Sequence, residues 1–401
     1  MAGIPAVSHV MPSLEVIREL VSRGHRVTYA NDPRVAGLVA ATGAEPVRYT
    51  STLPVGGRSW PEEPVAALDV FLDDAIAVLP EIRRAYEDDR PDLFLYDIAG
   101  YPARVLAEAW GIPAVQLSPT YVAWKGYEDE ARAGLRALPG AGAHYARFDA
   151  WLAGQGVRLG AEEFTGRPRR VLALIPRAMQ PFADTVDPRV VDFVGPCFGD
   201  RAEQGGWRPP AGAEGKRTLL VSMGTSFTDL PGFYRECLRA FGALPGWHVV
   251  LQIGGATDIG ALGPIPDNAE VHRWVPQLAI LEQASAFVTH AGMGGAGEGL
   301  YCGVPMIAVP QFGDQFVNAD TLQAHGVARR IDTAEAGAER LRAALEELTS
   351  SPAVAARLAA FRAELRGRGG AAKAADLIEA EIGEERAAAP PAGSGRGPET
   401  P

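Results

Sequence analysis

The sequence predicts an α/β protein with two doubly wound domains, each built on a parallel sheet. Its 401 residues exceed the size at which a single hydrophobic core stops growing, so two domains are expected. Short apolar strands alternate with amphipathic helices in both halves, which is typical of parallel sheets made from β-α-β units. A polar segment rich in Gly and Pro at 199–215 interrupts this alternation, as a linker between domains does.

The first half opens with a β-α-β unit. Leu14, Ile17 and Leu20 recur on one helical face after a predicted loop at 8–12, and Gly24 ends the helix. The predicted strands of this half lie at 3–7, 25–30, 93–96 and 114–117, with a further helix at 103–110. We therefore expect an N-terminal domain at 1–198.

The second half repeats the same architecture. Its predicted strands lie at 218–222, 248–253, 287–289 and 306–309, with a helix at 232–244. This predicts a second domain at 216–370, followed by a helix at 371–385. Residues 386–401 are rich in Ala, Pro and Gly and are expected to be a disordered tail.

Composition and charge exclude several classes of protein. Hydrophobic residues make up 47% of the chain and charged residues 22%, the balance of a globular protein. A net charge of -11 argues against nucleic acid or an anionic membrane as a partner. No apolar run approaches the roughly 20 residues that span a bilayer, and no signal peptide is recognisable, so we expect a cytoplasmic protein without stable membrane insertion.

The three cysteines, Cys197, Cys237 and Cys302, do not predict a metal site. They are odd in number and far apart, without the close pairs that zinc sites use. Free thiols in a reducing compartment are the expected state.

The segment 274–315 has the pattern of a phosphate-binding site. His290 ends a strand, glycines follow, and a helix begins near Gly295, so backbone N–H groups and a helix N-terminus face any bound anion. Gly292, Gly294 and Gly297 also form a G-x-G-x-x-G pattern, which leaves a dinucleotide site as an alternative. That fingerprint normally opens its domain, whereas here it follows several strands, so a diphosphate is the favoured occupant.

The same segment resembles the donor-binding signature of glycosyltransferase family 1, whose members have the GT-B fold. The resemblance rests on W-V-P-Q at 274–277 and on the residues at 290–315. The segments SLEVIREL, DPRVAGLVAATGA and SPTYVAWKGYEDE extend it to the oleandomycin glycosyltransferases of Streptomyces, the macrolide-inactivating branch of that family. It implies two Rossmann-like domains facing across a cleft, with the acceptor bound by the first and a nucleotide sugar by the second. It also implies that the helix at 371–385 packs back on the first domain.

The resemblance implies a role for each matching residue on the donor side. Trp274 would stack on uracil, Val275 would present backbone groups to the base edge, and Gln277 and Glu298 would bind ribose hydroxyls. The expected diphosphate contacts are His290, Gly292, Gly294, Gly295, Gly224, Thr225 and Ser226. Asp314 and Gln315 would hydrogen-bond hydroxyls of the sugar.

His9 is the candidate general base. A hydroxyl acceptor is a poor nucleophile near pH 7 and needs a group that takes its proton as the new bond forms. Position at a helix N-terminus disfavours the imidazolium form, which predicts a free base. The resemblance pairs His9 with Asp97, which would fix the tautomer as the acid of a serine triad does.

The acceptor side is less sharply predicted. Tyr121 and Trp124 are candidate acceptor contacts, although core packing would explain these aromatic residues as well. The relatives suggest a macrolide or another lipophilic natural product as acceptor, and UDP-glucose as donor.

Three features depart from the family pattern. The chain begins inside the expected first strand, which contains Pro5, so weak support of His9 is expected. Ser8 and Met11 stand where relatives have glycine and a polar residue, which puts acceptor choice in doubt. Ala296 replaces a serine that donates to phosphate, which predicts weaker donor binding by about 1 kcal/mol.

Together these observations predict an inverting glycosyltransferase that needs no metal and no cofactor and acts as a monomer or homodimer. Other interpretations stay open. The donor could be a dTDP-deoxysugar, the protein could be a catalytically silent relative that binds nucleotide as an auxiliary protein, or it could be a nucleotide-sugar epimerase.

Overall fold

The computed structural model describes residues 1–55, 60–199, 201, 204–224 and 228–388. Within these ranges the chain forms two parallel sheets, each flanked by helices. The strands are β1 (Thr28–Asn31), β2 (Glu45–Arg48), β3 (Phe94–Asp97), β4 (Ala114–Ser118), β5 (Val171–Ala173), β6 (Val191–Phe193), β7 (Arg217–Ser222), β8 (Trp247–Gln252), β9 (Ala269–His272), β10 (Ala284–Thr289), β11 (Met306–Ala308) and β12 (Ala328–Arg330).

The α-helices occupy both faces of the sheets. They are α1 (Val7–Ser22), α2 (Ala36–Ala40), α3 (Pro64–Tyr86), α4 (Tyr101–Trp110), α5 (Tyr127–Arg136), α6 (Ala141–Gly154), α7 (Ala161–Gly166), α8 (Pro231–Phe241), α9 (Gln277–Leu281), α10 (Met293–Cys302), α11 (Gln315–Ala324), α12 (Ala338–Ser350), α13 (Pro352–Gly367) and α14 (Gly370–Ala388). The predicted α/β fold with two doubly wound parallel sheets is therefore confirmed.

The first residues of the chain complete the N-terminal sheet. Ala2 pairs with Ala30 of β1 and with Tyr96 of β3, so that it connects the pair β1-β2 to the run β3-β4-β5-β6. Its N–H donates to the carbonyl of Leu95 (2.9 Å), and its carbonyl accepts from the N–H of Asp97 (3.0 Å). The sheet thus holds the chain directly before α1.

The predicted strand at 3–7 and loop at 8–12 are wrong in their bounds. The paired residues lie earlier, and α1 already begins at Val7, so Pro5 falls beyond the sheet and Pro12 falls inside the helix. A proline in a helix costs the hydrogen bond to the residue four positions before it, and α1 tolerates that loss because Val10, Leu14 and other residues of its apolar face are buried.

The C-terminal sheet has the strand order β12-β11-β10-β7-β8-β9, with all strands parallel. The central strands β7, β8 and β10 are buried on both faces, as the helix layers of a doubly wound fold require. The edge strands β9 and β12 were not predicted, because each is short and contains exposed polar residues.

The last helix, α14, packs against α1 of the N-terminal domain. Ala374, Ala375 and Ile378 are buried in the core beneath α1. Arg23 Nη1 donates to Glu379 at 2.9 Å, and His25 Nε2 lies 2.8 Å from the same carboxylate. This helix runs to Ala388, beyond the end predicted at 385, and the rest of the predicted tail lies outside the described residues.

No helix in the described part of the chain is both long and apolar enough to cross a membrane. The three cysteines are buried free thiols, as expected from their spacing.

Candidate active site

A cavity of about 500 Å³ lies between the two domains. Its wall contains His9 from the N-terminal domain and Trp274, His290 and Asp314 from the C-terminal domain. These residues follow or end parallel strands, and the carboxyl ends of such strands are where α/β sheets bind ligands. The cavity is therefore the candidate active site.

His9 and Asp97 form a hydrogen-bonded pair at the edge of this cavity. Asp97 is the last residue of β3 and is 1% exposed. Its carboxylate accepts from the backbone N–H of Ala99 (2.9 Å) and lies 2.9 and 3.1 Å from His9 Nδ1. With Nδ1–H donating to Asp97, Nε2 is the ring atom that can accept a proton. The expected weak support of His9 is not seen, since Ala2 accepts a hydrogen bond from Asp97 and fixes the end of β3.

The pKa of His9 is raised, which differs from the prediction of a base disfavoured as imidazolium. Desolvation is the largest single influence and lowers this pKa, but the charge and hydrogen bond of Asp97, with a further contribution from Asp314, outweigh it. His9 does occupy the first turn of α1. The buried carboxylate beside it has the larger effect because it is in direct contact.

The diphosphate side of the cavity is built around His290. Gly292 caps the N-terminus of α10, and residue 291 adopts a left-handed conformation (φ 59°) that turns the chain from β10 into that helix. A Cβ at Gly292 would lie 2.4 Å from His290 Nε2, and one at Gly224 would lie 2.7 Å from His290 Cε1. Both positions require glycine because the imidazole fills that space, and Gly224 also has a positive φ of 78°.

Desolvation lowers the pKa of His290 to about 4. His290 is therefore neutral near pH 7 in the free protein and acts as a hydrogen-bonding group. As a predicted diphosphate contact, His290 therefore offers a hydrogen bond and no positive charge. The positive potential at this site comes from the N-terminus of α10, and Gly294 and Gly295 of that helix also line the cavity.

Trp274 presents an open aromatic face to the cavity. Its side chain is 54% exposed, which is unusual for so large an apolar group and suits a platform for a planar ring. The backbone N–H of the next residue, Val275, donates to Gln252 Oε1 (3.1 Å), and Gln252 Nε2 donates to the carbonyl of Gly224 (3.2 Å). The N–H of Val275 is thus engaged, which leaves its carbonyl for the base edge. Gln252 links the two loops and was missed because it ends an ordinary-looking strand.

Glu298 and Gln277 meet at the predicted ribose site. Gln277 Nε2 donates to Glu298 Oε2 at 2.6 Å, and Arg201 Nη1 donates to Glu298 Oε1 at 2.5 Å. Arg201 belongs to the linker and was not predicted as a site residue. Its guanidinium lies over the ring of Phe198, with 4.9 Å to the centroid. The Gly/Pro-rich composition of the linker did not indicate a binding role for Arg201. The one available clue was that arginine commonly pairs with buried carboxylates.

Asp314 and Gln315 lie where β11 leads into α11 and face the cavity. Desolvation raises the pKa of Asp314, against opposing effects of Asn318 and His9. Gln315 Oε1 accepts from the backbone N–H groups of Gln311 (2.8 Å) and Phe312 (3.1 Å). The side-chain oxygen of Gln315 therefore stabilises the loop that contains Gln311 and Phe312.

Tyr121 and Trp124, the predicted acceptor contacts, are not among the described residues that line this cavity. Trp124 packs against Tyr127 and Phe182, with ring centroids 4.5 and 5.5 Å apart. The hydroxyl of Tyr121 donates to Asn318 of α11. Acceptor contacts by these two residues stay a prediction. Thr225 and Ser226, predicted beside the diphosphate, lie outside the described residues.

The three departures from the family pattern have different positions. Ser8 and Met11 line the cavity beside His9, where an acceptor would approach. Ala296 is fully buried, while its neighbours Gly295 and Gly297 line the cavity.

Within the described ranges, no group of three or more His, Cys, Asp or Glu side chains is arranged to hold a metal ion.

Comparison with known proteins confirms the resemblance that the sequence indicated. The family model described as UDP-glucoronosyl and UDP-glucosyl transferase matches residues 210–358. The chain is 56% identical to the oleandomycin glycosyltransferase of Streptomyces antibioticus over 389 residues, which cover 95% of this chain and 90% of that protein.

Solved structures show the same fold. The structure of the glycotransferase of kitacinnamycin has a TM-score of 0.87 and 54% identity, with coverage of 95% of this chain and 97% of that chain. The calicheamicin glycosyltransferase CalG4 has a TM-score of 0.82 and 32% identity, with coverage of 96% and 98%. The chain therefore belongs to the UDP-glucoronosyl and UDP-glucosyl transferase family and is a glycosyltransferase with the GT-B fold.

Proposed function

We propose that this enzyme transfers glucose, or a related hexose, from a UDP-sugar to a hydroxyl of a macrolide or similar lipophilic natural product, with inversion at the anomeric carbon. The observation that carries the proposal is the His9–Asp97 pair, which lies at the same cavity as the diphosphate-binding features of α10. The relatives named for oleandomycin, kitacinnamycin and calicheamicin support a natural-product acceptor.

His9 acts as the general base. Its Nε2 takes the proton of the acceptor hydroxyl while the oxygen attacks the anomeric carbon and the bond to the UDP oxygen breaks. Asp97 holds the tautomer that leaves Nε2 unprotonated and stabilises the imidazolium as it forms, as the acid of a catalytic triad does. Base catalysis of this kind contributes about 10²- to 10⁴-fold to the rate.

UDP leaves with the electrons of the broken bond, so negative charge grows on its phosphate oxygen. The N-terminus of α10 faces this position with unpaired N–H groups and a positive dipole end. Trp274 stacks on the base, Glu298 and Gln277 bind the ribose, and Asp314 binds the sugar. A single in-line displacement of this kind converts an α-linked donor into a β-linked product.

The acceptor side of the cavity is lined in part by apolar groups that include Val7, Met11 and Ile175. Val7 is exposed although it is apolar, and burial of such surface by a ligand is favourable at about 25 cal/mol per Å². A lipophilic acceptor suits this wall better than a second sugar or a charged metabolite.

The test is UDP release from UDP-glucose, with and without a panel of macrolides and flavonoids, in wild type, His9→Ala and His25→Ala. We expect acceptor-dependent release that falls at least about 10²-fold in His9→Ala and persists in His25→Ala, whose imidazole contacts α14. NMR of the product should show a β-linkage. Release without an acceptor requirement, or an α-linked product, would contradict the proposal.

A further inference from the structure

A chain of three polar side chains crosses from the N-terminal domain to the donor site. It starts at Tyr121, in the loop that follows β4, and continues through Asn318 and Asp314 of the C-terminal domain. Tyr121 Oη lies 2.5 Å from Asn318 Oδ1, and Asn318 Nδ2 donates to Asp314 Oδ2 at 3.3 Å. Asp314 lines the cavity, whereas Asn318 is fully buried behind it at 0% exposure.

The chemistry of the three groups fixes the direction of every hydrogen bond. Burial raises the pKa of the Tyr121 phenol, so the phenol keeps its proton and donates. The Asp314 carboxylate only accepts hydrogen bonds, so Nδ2 of Asn318 faces it and Oδ1 faces the phenol, which donates to that oxygen. The opposite orientation would place the amide oxygen against the Asp314 carboxylate, where both groups are acceptors.

We propose that Tyr121 is a positioning residue for the donor sugar, because its hydroxyl fixes the amide of Asn318 and that amide fixes the Asp314 carboxylate. The inference rests on the proposed function, in which Asp314 binds the sugar of UDP-glucose. It gives Tyr121 a role on the donor side that the sequence did not predict. It also couples the loop after β4, whose Pro119 and Thr120 line the cavity, to the sugar of the donor.

The test compares binding of UDP with binding of UDP-glucose in wild type, Tyr121→Phe and Tyr145→Phe, by calorimetry without acceptor. UDP lacks the sugar that Asp314 contacts, so Tyr121→Phe should bind UDP as wild type does and bind UDP-glucose ~5- to 10-fold more weakly. Tyr145→Phe is the matched control, since it removes the hydroxyl of another partly buried tyrosine, on α6 of the same domain. It should leave both affinities unchanged.

A double-mutant cycle with Asp314→Ala separates positioning from a structural role. If Tyr121 acts through Asp314, then Tyr121→Phe should weaken UDP-glucose binding no further once Asp314 is alanine. Additive losses, an equal loss for UDP and UDP-glucose, or unchanged UDP-glucose binding in Tyr121→Phe would each overturn the inference. Failure of the wild type to bind UDP-glucose would instead overturn the donor proposed above, and with it the role of Asp314.

Discussion

The pairing of His9 with Asp97 joins two side chains that are 88 positions apart in the chain. Asp97 ends β3, whereas His9 follows the segment around Ala2, which hydrogen-bonds to Leu95 and Asp97 of that strand. The electrostatic balance at His9 follows from this placement, since a buried carboxylate in contact with the ring outweighs the loss of water around it. At the residue scale, the pKa of His9 therefore depends more on its direct contact with Asp97 than on the dipole of α1.

Replacement of Asp97 by asparagine should move the acid limb of the kcat/KM profile to lower pH. The base must be neutral, so activity is lost as pH falls through the His9 pKa, which lies above its ordinary value of 6.5 in wild type. Removal of the carboxylate lowers that pKa. We also expect kcat/KM above the limb to fall ~10²-fold, because the tautomer is no longer fixed.

The control for this pH profile is Asp69→Asn. Asp69 Oδ1 lies 2.8 Å from His144 Nδ1, a similar pair between α3 and α6 that does not line the cavity. Its pH profile should match that of wild type. An acid limb that stays in place in Asp97→Asn would show that the limb does not report His9.

At the scale of elements, two helices organise the site: α10, whose N-terminus lies at the cavity, and α14, which packs against α1. The helix α10 begins at the predicted diphosphate side of the cavity, where Gly224 and Gly292 leave the space that the His290 ring fills. The helix α14 leaves the C-terminal domain and buries its apolar face beneath α1, the helix that carries His9. The position of α1 thus depends on a segment from the far end of the chain.

Substitution of Ile378 by alanine should lower the free energy of unfolding by about 2 to 4 kcal/mol, because it leaves a cavity beside α1. Ile378 is 2% exposed. Arg23→Ala removes ion pairs between α1 and α14 that are partly open to water, and should cost clearly less. Urea unfolding of both variants gives the comparison, and an equal effect would mean that ion pairs hold α14 as strongly as its apolar face does.

At the scale of the whole molecule, two parallel sheets face one cavity with the carboxyl ends of their strands. In the proposed reaction, this arrangement lets the N-terminal domain supply the base while the C-terminal domain supplies the diphosphate site. Tyr121 contacts Asn318 of the other domain behind this cavity, and Arg201 of the linker contacts Glu298 at the cavity wall. The two domains are therefore connected by side-chain contacts as well as by the chain itself.

Glycosyl transfer should persist undiminished in excess EDTA. In the proposed reaction, the charge that develops on UDP faces the N-terminus of α10, which supplies positive potential without a cation. The measurement is the initial rate of UDP release after dialysis against the chelator, with and without added Mg²⁺. A loss of rate that Mg²⁺ restores would contradict the prediction.

The two-domain α/β fold and the family could be predicted from the amino-acid sequence alone. Apolar runs and glycine spacing are local properties of the chain. Buried parallel strands require apolar runs in any protein, so these strands can be recognised from the sequence. The pattern around His290 indicated the diphosphate site for the same reason. Strand and helix bounds near the N-terminus were less predictable, because the start of α1 depends on pairing of Ala2 with two strands that lie far away in the chain.

The interactions among the site residues could not be predicted without the folded structure. The raised pKa of His9, the neutral state of His290 and the pairing of Arg201 with Glu298 all depend on distances between distant segments and on desolvation by the assembled domains. From the sequence, Tyr121 could be an acceptor contact or a core residue. In the structure, its hydroxyl donates to the buried amide of Asn318 in the other domain. Electrostatic energies vary steeply with distance and burial. The order of the residues along the chain specifies neither the distance between two groups nor their burial.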